Sequence, residues 1–197
     1  MKVPSNILPR SFYDRPTLTV ARELLGALLV RVEDGVRIAG RIVETEAYVG
    51  ESDLGCHAKA GRTPRTVIMY GEAGRAYVYF NYGMHWMLNA VTEAEGFPAA
   101  VLIRAIEPSE GIEIMASRRG KQPRARWTDG PGKLTQALNI DKSFSGVDLC
   151  SRESSLWIET GKSISDENVT IGARVGLNNV PEPWNSVPWR FLVKTRE

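Results

Sequence analysis

The chain has 197 residues, 43% hydrophobic and 24% charged, which is the balance of one globular domain with enough apolar mass for a core. Its net charge of +2 excludes a strong whole-molecule field, so a polyanionic partner would have to be met by clustered basic residues. Two cysteines, Cys56 and Cys150, exclude a disulfide framework, and neither a leader pattern nor a membrane-length apolar run is present, so the expectation is a cytoplasmic protein without membrane contact.

In chain order, residues 1–16 hold three prolines and read as an extended arm on a single domain spanning 1–197. "TLTVARELLG" follows as a short helix, with Thr17 as cap, Val20, Leu24 and Leu25 on one side, and Gly26 as its stop. "ALLVRVEDGVRIAGRIVETEAY" gives two strands joined at Asp34-Gly35. "RAYVYFNYGMHWMLNAV" is a second hairpin turning near Tyr82-Gly83, and residues 99–106 are a further strand. Ser109 is placed to cap a helix ending near Arg119, and Asp129 to cap one in "DGPGKLTQALNI". Short strands are expected at "SLWIET", "IGARVGL" and "WRFLVK". The fold class is mixed α+β: one antiparallel sheet, curved or forming an open barrel, with flanking helices and a protruding hairpin.

The second strand carries the first candidate chemistry. Strand alternation places Val36, Ile38, Ile42, Glu44, Glu46 and Tyr48 on one face, unless a one-residue bulge moves the later members across. The carboxylates then have two readings. Either the strand leaves the core and they meet water, which the pattern alone favours, or one is partly buried beside an aromatic ring and acts as a general base. His57 and His85 are the only histidines, and with Cys56 adjacent and Cys150 remote no metal-ligand spacing arises. Cys56 reads as a small buried residue.

In the second hairpin Tyr77, Tyr79 and Asn81 share a face. Tyr77, Phe80, Trp86 and Met87 read as ordinary sheet or core residues. Tyr82 does not, because a turn has little core to offer it. An aromatic there suits insertion between stacked bases. Positive charge clusters at Arg62 and Arg65, in "RRGKQPRAR" from 118 to 126, and at Lys133, where "GPGK" opens a helix suited to a phosphate.

Taken together, "GRIVETEAYVG", "CHAKAGRTPR", "YVYFNYGMHWMLN", "VLIRAIEP", "GPGKLTQAL" and "ARVG" resemble the alkyladenine family of DNA glycosylases, the 3-methyladenine DNA glycosylases, from about Phe12 to Val193. The resemblance implies roles for particular residues. Glu46 matches the general base for water and Arg104 an arginine that helps hold that water. Tyr48, His57 and Tyr79 match the residues that sandwich the extruded base. Asn89 matches a pocket asparagine that crowds the amino group of normal guanine, and Tyr82 the residue that fills the gap in the duplex. The sequence departs from the family pattern at Phe80-Asn81 and His85-Trp86.

The implied activity is hydrolysis of the N-glycosidic bond of alkylated or deaminated purines in double-stranded DNA by a monomeric, compact, bacterial-type enzyme. It needs no cofactor or metal, and leaves an abasic site. A catalytically silent nucleic-acid-binding module accounts for the basic loops and the wedge but not for Glu46, Arg104 and Tyr48. A small-molecule hydrolase leaves Tyr82 unexplained.

Overall fold

The Asp34-Gly35 signal is realised as a tight hairpin turn. Both residues have positive φ, 49° and 77°, and Glu33 pairs with Val36 across them. The turn joins β1 (Leu28–Glu33) to β2 (Val36–Val49). In the computed structural model, which describes residues 6–81 and 83–194, β2 is the central strand of the fold.

The second hairpin, β3 (Ala76–Asn81) and β4 (His85–Val91), also forms as expected, and β5 (Ala99–Glu110) runs four residues beyond the expected end at 106. With β6 (Leu156–Glu159), β7 (Val169–Gly172) and β8 (Arg190–Val193) these make one eight-stranded antiparallel sheet. Its order is β3-β4-β5-β2-β1-β6, with β8 on β2 and β7 on β8, and it does not close into a barrel. β1 holds one edge of β2 as far as Arg41, and β8 takes over that edge at Glu44.

Four α-helices flank the sheet among the described residues: α1 (Arg10–Tyr13), α2 (Thr17–Glu23), α3 (Ile112–Arg119) and α4 (Pro131–Leu138). Val20, Ala21, Leu24 and Leu25 at α2 meet Ile42, Ala47, Ile103, Leu134 and Leu138 in the main core. Each fully buried valine, leucine or isoleucine of this set contributes about 1.5–3 kcal/mol. Gly26 ends the α2 segment with φ +92°, and a Cβ there would lie 2.0 Å from the Lys162 carbonyl oxygen, so the site accepts only glycine.

Several expectations are corrected. The N-terminal segment is not extended throughout: Leu8 bonds to the Ile158 carbonyl beside β6, and the chain then turns helically at α1, burying Tyr13 completely. Thr17 is the first helical residue rather than the cap, its hydroxyl donating to Glu93 at 2.6 Å. Ser109 caps nothing; it lies in β5 and donates to the Ala39 carbonyl, and Gly111 precedes α3. Gly130, not Asp129, caps α4. The strand expected at 171–177 stops at Gly172, because Arg174 leaves the sheet for an ion pair.

The central irregularity of β2 places the candidate site. Against β5, Ile42 pairs with Ile106, Glu44 with Ala105, and Thr45 with Ile103, so Val43 on one strand and Arg104 on the other have no opposite number. Ile38 and Ile42 belong to the main core, and so does Ala47. The parity of β2 therefore changes between Ile42 and Thr45, and Glu44, Glu46 and Tyr48 leave the face that holds Ile42. The single face expected for Ile42 and the carboxylates does not exist.

Candidate active site

Glu46 sits at the base of a cavity of about 310 Å³ whose lining includes Tyr48, His57, Tyr77, Tyr79, Asn89 and Arg104. Its side chain has no exposed surface, and both carboxylate oxygens are engaged. Oε1 accepts the Val175 backbone N–H at 2.7 Å, Oε2 accepts the Tyr48 hydroxyl at 2.8 Å, and Arg104 Nη1 stands 3.3 Å from Oε2. Tyr48, Arg104 and Val175 all border the cavity, so Glu46 lies one layer behind its surface.

Burial raises the Glu46 pKa, and Arg104, the Val175 amide and the Tyr48 hydroxyl oppose that rise. Burial alone would lower the Arg104 pKa, but the charges of Glu46 and Glu44 outweigh it and hold the guanidinium protonated. Glu44 is occupied elsewhere: its Oε1 accepts from Arg104 Nε at 2.9 Å and lies 2.8 Å from Arg190 Nε. Of the two carboxylates, only Glu46 is free of a second arginine.

The walls are aromatic. His57 and Tyr79 meet edge to face with centroids 4.4 Å apart, so they form one continuous wall and no ligand fits between them. His57 bonds through Nδ1 to the Tyr77 hydroxyl at 3.0 Å and through Nε2 to Arg65 at 3.2 Å. A guanidinium can only donate, so Nε2 is the acceptor and the proton sits on Nδ1. Burial, with Arg65 and Lys59 adding to it, pushes the His57 pKa down to about 4, so the ring is neutral at physiological pH. The phenols of Tyr48, Tyr77 and Tyr79 are all pushed up, chiefly by burial. Burial likewise drives the Cys56 thiol to about 12, which leaves it protonated. Asn89 is buried, and its Nδ2 donates to the Tyr77 carbonyl at 3.0 Å, which fixes the amide against the cavity.

The structure thus gathers Glu46, Arg104, Tyr48, His57, Tyr79 and Asn89 at one place. Tyr77 and Met87 are buried, as their reading as sheet residues requires, but they also line the cavity. Phe80 is not a core residue; it is exposed and lies against Trp86 at 4.7 Å. Tyr82 lies outside the described residues.

The basic residues divide. Arg62 and Arg65 are exposed, Arg62 over the Tyr70 ring and Arg65 beside the cavity over Tyr79. Lys133 is held by Asp129 at 2.7 Å, near Pro131, which borders the cavity. Arg118 is bound to Glu33 and donates to the Ala137 carbonyl at 3.1 Å, and Arg119 is bound to Gln136, so both tie α3 to α4. Among the described residues no three of His, Cys, Asp and Glu gather as metal ligands, and no helix is long and apolar enough to cross a membrane.

Two residues of the site carry no signal of their own in the sequence. Asp53 and Arg174 form an ion pair beside Tyr48, with neither side chain exposed. The "ARVG" stretch marks Arg174 and Val175 without indicating what they touch.

Comparison with known proteins agrees with this geometry. Residues 11–197 match the family described as methylpurine-DNA glycosylase. A protein of Methanocella arvoryzae, provisionally named 3-methyladenine DNA glycosylase, is 50% identical over 192 residues, covering 95% of this chain and 92% of its own. Similar proteins with the same provisional name occur in Myxococcus xanthus, at 49% identity with 96% and 91% covered, and in Carboxydothermus hydrogenoformans, at 44% with 97% of each.

Proposed function

The chain belongs to the methylpurine-DNA glycosylase family, and we propose that it hydrolyses the N-glycosidic bond of alkylated or deaminated purines flipped out of duplex DNA, leaving an abasic site. The observation that carries this reading is the buried Glu46 carboxylate behind an aromatic cavity, flanked by Arg104 and Tyr48.

A base within a duplex is out of reach of Glu46, so the nucleotide must leave the stack, at a cost of a few kcal/mol that is least at damaged pairs. The flipped base would lie between Tyr48 and the wall made by His57 and Tyr79. Purines methylated at N3 or N7 are cationic, and electron-rich ring faces favour them by about 0.5–2 kcal/mol. The neutrality of His57 keeps a competing positive charge out of that space.

As the glycosidic bond breaks, its electron pair leaves with the base and positive charge develops on the sugar. Anionic Glu46 stabilises that charge and takes a proton from the water that attacks C1′. A cationic base departs neutral and needs no acid. A neutral base such as hypoxanthine needs a proton, and neither the neutral His57 nor the raised phenols supplies one readily. Cationic lesions are accordingly the better substrates in this reading.

The strand is left uncut. Cleavage would call for an amine that forms a Schiff base with the sugar. Lys59, the nearest candidate along the chain, is exposed and donates to the Leu54 carbonyl at 2.8 Å. Tyr82 is proposed, from its place in the sequence alone, to fill the vacancy in the duplex. The deciding experiment measures free-base release from methylated duplex by the wild-type protein and by Glu46→Gln. Release that depends on Glu46 supports the reading. Tight duplex binding with no release would make the protein a binding module instead.

A further inference from the structure

The Asp53–Arg174 pair has no part in the chemistry above, yet it is the most fully enclosed ion pair beside the cavity. Arg174 Nη1 lies 2.5 Å from Asp53 Oδ2 and Nη2 lies 2.8 Å from Oδ1. The carboxylate also accepts the backbone N–H groups of Val49, at 3.2 Å, and Gly55, at 2.9 Å. The guanidinium donates in addition to the carbonyls of Ala47 and Trp184, both at 3.1 Å. It rests over the rings of Tyr48, 4.7 Å from the centroid, and Trp189, at 5.1 Å. A Cβ on Gly55 would come within 2.8 Å of Nη2, so the 50–55 loop closes directly on the charge.

Removing two charges from water is seldom repaid by their attraction, and an apolar pair often serves a fold as well or better. A buried ion pair at this spot therefore calls for a reason beyond stability. Its contacts supply one, because they converge on Glu46. Ala47 follows Glu46 in the chain. Tyr48, whose ring the guanidinium backs, gives its hydroxyl to Oε2. Val175, next to Arg174, gives its N–H to Oε1. Apart from Arg104, both donors to the Glu46 carboxylate are thus anchored by one side chain.

We propose that Arg174, clamped by Asp53, is a positioning residue for base release: it fixes the Tyr48 ring and the Val175 amide against the two oxygens of Glu46. The proposal rests on Glu46 being the base. The groups that set the charge state of Glu46 are Arg104, the Val175 amide, Tyr48 and Glu44, with Arg190 acting on Glu44. Arg174 is not one of them directly, since Asp53 balances its charge; it acts through the hydrogen bonds it aims. Lysine cannot replace it, because an ammonium offers neither the planar two-point fork nor a flat surface for the ring.

The test is single-turnover base release from methylated duplex, with lesion-DNA affinity, melting temperature and pH dependence measured alongside. The variants are Arg174→Lys, Arg174→Met and the double Asp53→Asn/Arg174→Met. The single variants should lower the rate constant about tenfold or more. The acid limb of the pH–rate profile should also move up, because losing the Val175 bond disfavours ionised Glu46. The double variant removes both buried charges, so it should recover much of the melting temperature lost in Arg174→Met without recovering the rate. Should the single variants fail to fold, the double variant decides alone. A folded variant with wild-type rate and an unmoved acid limb would reduce the pair to a structural role. Wild-type release that is lost in Glu46→Gln upholds the proposed function whatever the Arg174 variants do; no release by the wild type overturns both.

Discussion

Arg104 Nη1 stands 3.3 Å from Glu46 Oε2 at the point where β2 and β5 both lose register. The guanidinium borders the cavity and the carboxylate is sealed behind it. Placement and charge compensation thus come from the same irregularity.

The acid limb of the pH–rate profile for base release is expected above 4.5, the ordinary glutamate value, because burial raises Glu46 and only its ionised form accepts a proton. Glu46→Gln should lower single-turnover release by about 10²–10⁴-fold while lesion binding persists. Activity close to wild type would move the role of base away from Glu46.

The same shift makes Glu46 a stability determinant of definite sign. Its folded pKa exceeds the unfolded one, so the folded state holds the proton more tightly. That stabilisation is complete below the unfolded value and is lost as pH rises through the folded one. Glu46→Gln should therefore melt higher than wild type at pH 7, with the advantage fading as pH falls through the raised folded pKa and gone below about 4.5. An advantage independent of pH would contradict the burial of an ionisable group.

His57 should not titrate across the physiological range. Its pKa is held near 4 by burial, with Arg65 and Lys59 adding to it. In a ring-nitrogen NMR titration, the resonance missing in His57→Gln should keep its neutral, Nδ1-protonated signature from pH 8 to 5.5. Protonation near 6.5 would mean the ring carries charge into the cavity.

Affinity for undamaged duplex should fall with salt, and the basic residues should differ in their share of the slope. Arg62→Ala and Arg65→Ala, at exposed sites, should each flatten the log–log slope by about 0.9. Arg118→Ala should leave it unchanged, since Arg118 is spent on Glu33 and the end of α4. Equal effects from all three would show that the pairing seen here does not govern DNA contact.

Asn89→Ala should relax the exclusion of normal guanine. Ring stacking holds every purine alike, so rejection must come from a fixed group that crowds one of them, and removing such a group is worth about tenfold or more in relative rate. The anchor from Nδ2 to the Tyr77 carbonyl is what makes Asn89 such a group. An unchanged ratio of guanine to lesion release would leave Asn89 with that structural bond alone.

The hairpins were legible because their signals are local: Asp34-Gly35 needs only its own backbone, and alternation along Tyr77, Tyr79 and Asn81 needs only the pleat. The helix caps were misread where a neighbour claimed the residue first. Ser109 is taken by Ala39 across the sheet and Asp129 by Lys133. Glu46 and Arg104 were legible through family resemblance, but the alternation of β2 taken by itself pointed to solvent, since it cannot show two bulges that face each other. The pairing of Asp53 with Arg174 was not legible at all. They lie 121 positions apart, and a contact at that separation leaves no pattern in either neighbourhood.

The paired bulges make the segment from Ile42 to Tyr48 sensitive to length rather than to chemistry. Flattening the bulge at unchanged length would restore plain alternation along the strand and turn Glu44, Glu46 and Tyr48 toward the apolar interior, while Thr45 and Ala47 took their places at the cavity. Replacing a side chain here removes one function; adding or losing a single residue between Glu44 and Tyr48, with the bulge kept, would exchange inside for outside along the rest of the strand. Insertions and deletions should therefore be tolerated in the surface turns of this protein and excluded from the five positions, Glu44 to Tyr48, that follow the bulge.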